Sequence, residues 1–244
     1  MRPPVLAGML FGVVLSPLLA VLALVMRARV FHRGGTYVAG ELLPCASDDE
    51  AAERAAQRFS GGALLRLSAG KSPEIRDDLR DVLGLAMRLG KPGAAAPSDQ
   101  DLIFASFETL GVAGEAVKHT NTADLLANTF YTASLYADPD LGRVRFRLAP
   151  HREGKPAFGS SGPERFVAEV RDTQVSLRLA AAAEGEQSWR DIADVVLREP
   201  LDLADSDTDF NPWRRGRGVV PDDFVGGVRR VIYPVTRTMR RLRG

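Results

Sequence analysis

Between Val5 and Met26 the chain carries no charged residue; beyond that point it breaks into short segments in which apolar and polar positions alternate. As a helix the first stretch would be about 33 Å long, enough to cross the hydrocarbon core of a bilayer. The apolar run is too long for a cleaved leader, and Ala23-Leu-Val-Met-Arg27 offers no small-x-small cleavage site. Arg27, Arg29 and Arg33 come after it, whereas only Arg2 and the amino terminus precede it, so the positive-inside rule places the remainder of the chain in the cytoplasm. The pattern predicts a transmembrane or membrane-anchoring helix over positions 1–28 that ties a cytoplasmic domain, 29–244, to a lipid bilayer. The second reading is a soluble cytoplasmic protein whose first helix lies against its own domain, which Gly8, Gly12 and Pro17 permit.

About eight later segments have strand character: 36–43, 63–69, 82–89, 101–109, 129–136, 143–150, 173–180 and 193–203. The clearest is Arg143-Val-Arg-Phe-Arg-Leu148, which sends arginines to one face and apolar side chains to the other, as a half-buried antiparallel strand requires. Short strands between turn signals predict a barrel or sandwich rather than βαβ units. Helical spacing appears in 48–59, where Ala51, Ala52, Ala55 and Ala56 share a side, and in 165–172. The stretches 91–99, 151–164 and 205–217 are rich in Gly, Pro, Ser and Asp and are expected to be loops. The chain closes in a basic amphipathic helix, capped by Asp222 or Asp223 and running through Val228, Ile232 and Met239. The expected fold class is therefore α+β: an antiparallel β-barrel of about eight strands, flanking helices and an N-terminal apolar helix.

At 244 residues one core suffices, and 32 Lys+Arg against 31 Asp+Glu leave a net charge of +1 and no electrostatic case for nucleic acid. Cys45, the only cysteine, excludes an internal disulfide and a cysteine-rich metal site. The three histidines, His32, His119 and His151, have no metal-ligand spacing, and no carboxylates cluster to complete a site without them.

Five stretches carry candidate chemistry. They are Arg29-Val-Phe-His32-Arg-Gly-Gly35 followed by Gly40, Arg66-Leu-Ser68, Arg80-Asp81-Val-Leu-Gly84-Leu-Ala86, Asp209-Phe-Asn-Pro-Trp213, and Arg229-Arg-Val-Ile-Tyr233-Pro234. Taken together and in this order, they resemble the haem motifs of catalases and make the chain similar to the catalase-like haem proteins from His32 to Arg240. Its shortness, and Leu126-Ala-Asn-Thr-Phe-Tyr-Thr-Ala-Ser-Leu-Tyr136, are closest to the minimal catalase-related peroxidases.

The resemblance implies haem b (iron protoporphyrin IX) as cofactor, with Tyr233 as the proximal metal ligand. Arg229, one helical turn earlier on the same face, would hold its oxygen as phenolate. On the opposite face it implies His32 as the catalytic residue that moves a peroxide proton and Ser68 as the hydroxyl that orients it. Arg29, Arg66 and Arg240 would pair with the propionates, for which a guanidinium fork is suited. The implied activity is that of a haem-dependent peroxidase, an oxidoreductase that reduces hydrogen peroxide or organic hydroperoxides, lipid hydroperoxides included, through a ferryl intermediate. A separate, unidentified reductant would restore it.

One departure changes that picture. Catalases carry a distal asparagine after Trp-Asp-Leu; here Gln100-Asp101-Leu102 leads to Ala105 in its place. Losing that amide removes about 1–3 kcal/mol of transition-state stabilisation, so weak catalase activity at best is expected. Ser106 could offer a hydroxyl, but from the other face of a strand. The alternative reading is a membrane-attached, non-enzymatic haem-binding protein; a third is a haem-free scaffold whose basic tail, Arg237 to Arg243, meets anionic lipid. Tyr37, Trp189 and Trp213 are expected to pack, and His119 and His151 to lie at the surface.

Overall fold

The computed structural model of this chain describes residues 2–26, 34–70, 72, 74–151, 162–204 and 208–241, without the side chains of 19–26, 237 and 239–241. Among these residues the alternating segments become ten strands: β1 (Gly35–Pro44), β2 (Gly61–Ala69), β3 (Leu83–Leu89), β4 (Gln100–Ala105), β5 (Phe130–Thr132), β6 (Tyr136–Asp138), β7 (Gly142–His151), β8 (Ser176–Ala183), β9 (Arg190–Leu201) and β10 (Val220–Pro221). Eight of them close into an antiparallel ring in the order β7-β5-β4-β3-β2-β1-β9-β8, with β8 returning to β7; β6 and β10 extend outward from β7. Closure leaves no ring strand with an unpaired edge.

The barrel interior holds Val38, Leu65, Leu67, Leu85, Met87, Phe104, Phe146, Leu179 and Val195, all buried. In β7 the inward positions Val144, Phe146 and Leu148 are buried while Arg143, Arg145 and Arg147 face outward, as their alternation requires. Helix α2 (Glu50–Phe59) is capped by Asp49, whose carboxylate accepts from the Ala51 amide (2.9 Å), and it buries Ala52, Ala55, Ala56 and Phe59. The Phe59 ring meets that of Phe146 edge-on at 5.7 Å.

Some boundaries differ from the sequence expectation. The strand expected over 129–136 is broken around Ser134 into β5 and β6, because Ser134 and Leu135 turn aside to meet the closing helix. The strand expected over 101–109 stops at Ala105, and a 3₁₀ turn, Leu110–Val112, leads into the unanticipated helix α3 (Ala113–His119). Helix α4 (Gly162–Asp172) fits its periodicity and buries Phe166 and Val170.

The N-terminal segment forms helix α1 (Pro3–Met26) beside the closing helix α5 (Phe224–Arg241). Among the described residues no helix is long and apolar enough to cross a membrane. One side of α1 is committed to protein. A Cβ at Gly8 would collide with the Phe224 carbonyl, one at Gly227 with the Val5 carbonyl, and one at Gly12 would stand 3.0 Å from the Val228 carbonyl oxygen. Glycines spaced by four residues let the two backbones touch. The helices run parallel, and Arg2 forms an ion pair with Asp222 (3.2 Å) at their shared N-terminal end.

Candidate functional site

The motifs of the central strands converge on the outer face of β1–β4, where Tyr37, Leu64, Arg66, Ser68, Arg88 and Asp101 are buried. Strand register sets Gly35, Ser68, Gly84 and Ala105 side by side across the four strands, a row of small residues about 14 Å wide at ordinary strand spacing. Two residues along lies the row Tyr37, Arg66, Ala86 and Ile103, and two further the row Ala39, Leu64, Arg88 and Asp101. Alternation puts all three rows on one face.

Arg66 is 2% exposed. Its Nε donates to the Tyr37 hydroxyl (3.0 Å), which shares a 2.5 Å hydrogen bond with Thr208 Oγ1. A Cβ at Gly35 would stand 2.7 Å from Arg66 Nε, so this glycine leaves room for the guanidinium to cross the strip. Gly40 has a different purpose: it sits at the β1–β9 register shift, where a Cβ would stand 2.8 Å from Leu65 Cδ1.

Beside the strip, Arg88 and Asp101 form a buried ion pair (3.1 Å), and Asp101 also receives Arg214 and the Asn211 amide (2.7 Å). Burial pushes the Asp101 carboxyl up, against the opposing pull of Arg88 and Arg214. This cluster fastens the Asp209–Trp213 segment to β4. Trp213 in turn donates from Nε1 to the Gly226 carbonyl (3.0 Å), and the Arg230 guanidinium lies 4.6 Å above its ring, so the segment positions α5.

A second tether fixes the start of α5. Asp223 accepts from the Gly226 amide (2.7 Å) as its cap and from the Leu135 amide (2.8 Å), while Asp222 receives Arg143 Nε (2.9 Å). These bonds bring Arg229 to Ser134, whose hydroxyl its guanidinium reaches at 3.3 Å. Tyr233, one turn on and half-buried, lies with Arg229 and Asp223 in the electrostatic surroundings of the Tyr136 hydroxyl, beside the Ile103 backbone. That hydroxyl is fully buried without a hydrogen-bond partner.

Of the residues singled out by sequence, the structure places Ser68 and Arg66 on this face, both buried, and Arg229 and Tyr233 on α5. Arg240 lies in the last turn of α5, with its side chain outside the described set; His32 and Arg29 lie outside the described residues altogether. Ser106 does not substitute for the missing amide, since its hydroxyl accepts from the Leu83 amide (2.9 Å) and bonds Thr120 Oγ1 (2.9 Å). His119 and His151 are exposed. Sequence reasoning gave Tyr136 no role, and its position at a strand end carried no signal that its hydroxyl would be buried here.

In donor chemistry the described residues suit a haem: a phenol and a guanidinium share a turn of α5, and the outer face of β1–β4 carries a row of Gly, Ser, Gly and Ala with the buried Arg66 in the next row. Burial pushes the Tyr136 phenol up from 10.0 to about 12. The unfolded chain therefore ionises first, and Tyr136's contribution to stability, full below pH 10, is lost as pH rises toward about 12. Tyr136→Phe is expected to stabilise the haem-free chain at neutral pH by about 1–2 kcal/mol by removing an unsatisfied hydroxyl, and to flatten that alkaline loss. Urea unfolding at pH 7 and above pH 10 checks both, and a destabilised variant contradicts them.

Comparison with known proteins gives the fold. No protein-family model matches the sequence, and neither does any curated protein. Among solved structures the chain is similar to a fungal catalase, at 13% identity and a TM-score of 0.59, covering 87% of this chain and 59% of that one. It is similar to a bacterial catalase at 12% identity and a TM-score of 0.58, covering 87% and 57%. The barrel with its helices is thus catalase-like in fold, and the chain spans under three-fifths of the length of these catalases.

Proposed function

We propose that this chain binds haem b against the outer face of β1–β4 and acts there as a peroxidase. The observation that carries the proposal is the pair Tyr233 and Arg229, one turn apart on α5 and both in the electrostatic surroundings of the unsatisfied Tyr136 hydroxyl, in a fold of catalase type. Tyr233 Oη would be the iron ligand, and Arg229, released from Ser134, the cation that keeps that oxygen ionised. Arg66, braced by Tyr37, would face a propionate, joined by Arg29 and Arg240.

When bound, the haem supplies the redox chemistry that cleaves a peroxide O–O bond. The chain's own contribution is proton handling. His32, three residues before Gly35 in sequence, would take a proton from the peroxide and return it to the departing oxygen, and Ser68 would orient its imidazole. An external reductant supplies the electrons. Ala105 stands on the strip without an amide, so peroxide polarisation is weaker than an asparagine would make it.

The haem-loaded protein is expected to oxidise a phenolic dye with hydrogen peroxide or a fatty-acid hydroperoxide while releasing little oxygen. Ala105→Asn is expected to raise oxygen release about five- to hundredfold; unchanged release with an intact spectrum contradicts this role for position 105. A retained haem spectrum with no dye oxidation favours the second reading, a haem-binding protein without turnover, for which the lost amide at Ala105 is the motive.

A further inference from the structure

Helix α1 divides cleanly by helical period. Val5, Gly8 and Gly12 are buried against α5, while Leu6, Leu10, Phe11, Val13, Val14 and Leu18 face outward. Leu10, Leu18 and Val14 are 63%, 67% and 76% exposed, and the Phe11 ring adjoins that of Phe224, itself an exposed aromatic, at 5.7 Å. A helix that is apolar all round normally has a cover on every side, and a contiguous apolar face of this size marks an interaction surface.

We infer that this face docks on an anionic lipid surface, with α1 lying along the leaflet rather than through it. The choice of occupant rests on charge. Pro3 to Met26 contains no ionisable side chain, so nothing on the face opposes entry into the acyl boundary. Arg27, Arg29 and Arg33 come next in sequence, and α5, which runs parallel to α1, has no acidic residue and carries Arg229, Arg230, Arg237, Arg240 and Arg241. An apolar helix face followed in sequence by basic residues and packed on an arginine-rich helix matches acyl chains below and anionic headgroups around. Depth is limited by packing: the Gly8, Gly12 and Gly227 contacts hold α1 on α5, so only the outward face can enter the bilayer. Arg29, Arg229 and Arg240 also enter the haem proposal, but the inference rests on the exposed face of α1, and vesicle binding tests it apart from haem.

The test is flotation of the full-length protein with phosphatidylcholine vesicles, with and without phosphatidylserine. Comparison is with Leu10→Gln/Val14→Gln and with Leu110→Gln, which removes an exposed leucine away from α1. Unchanged circular dichroism and thermal unfolding confirm that the variants fold. The wild type is expected to float with the anionic vesicles, less at high salt and less with phosphatidylcholine alone. The double variant is expected to float about tenfold less or lower, and Leu110→Gln to match the wild type. Equal flotation of the double variant overturns the inference. So does a wild type that ignores vesicles but sediments as a dimer that the double variant dissociates, since the occupant is then a second copy.

Discussion

Asp101→Ala is expected to lower the unfolding free energy by about 3–5 kcal/mol, the cost of stranding a buried charge. Arg88 is 1% exposed and its Nε is committed to Asp101, so removing the carboxylate leaves a guanidinium that cannot reach water. Arg214, at 15% side-chain exposure, can partly turn outward. The loss also frees the Asn211 amide, and with it the segment that seats Trp213 on α5. The pair itself is not a large net gain, because burial raises the Asp101 carboxyl in spite of two guanidinium neighbours. The double replacement Arg88→Met with Asp101→Leu should therefore cost much less than Asp101→Ala alone. Urea unfolding of the three proteins measures this, and a double variant as unstable as the single one contradicts it.

Gly227→Ala is the second large effect, and its sign is unusual. Alanine inside a helix ordinarily gains about 1 kcal/mol over glycine. At Gly227 the new methyl would overlap the Val5 carbonyl and stand 3.0 Å from the Met9 amide nitrogen. Two helix backbones cannot yield as a flexible side chain can, so a net loss of about 1–3 kcal/mol is expected. Gly114→Ala in α3 is the internal control, since its Cβ meets nothing within 4 Å and the ordinary gain should appear. Thermal unfolding should move the two variants in opposite directions by a few degrees; parallel gains would mean that α1 does not rest on α5.

The fold was legible where one face of a strand meets water. β7 announces itself through Arg143, Arg145 and Arg147, and α2 through its alanine stripe and Asp49 cap. β2, β3 and β4 are buried on both faces and show little alternation, so only their motifs stood out. The β5–β6 break was hidden because the apolar pattern runs on through Ser134, and its cause is tertiary: Asp223 and Arg229 arrive from almost a hundred residues away. α3 was missed because it buries no residue and contains Gly114. For α1, a charge-free run shows length and polarity but not which side meets another helix; the Gly8–Gly12 spacing was the available sign of its packing on α5.

For the site, residue types and order pointed to Arg66, Ser68, Arg229 and Tyr233, but not to the rows that seat the first two on one face or to Tyr136 beside the last two. A buried hydroxyl without a partner is a product of packing and leaves no periodic trace. The turn of Arg229 toward Ser134 instead of Tyr233 is likewise set by the cap at Asp223.

The most direct measurement is the absorption spectrum of the wild type and of Tyr233→Phe, each purified after expression with haem supplied. The wild type is expected to show a Soret band at near-stoichiometric haem, and Tyr233→Phe to lose it or shift it with altered ligation, while the two proteins share one circular dichroism spectrum. Identical Soret bands in both proteins, or no Soret band in the wild type, would contradict a haem held by Tyr233.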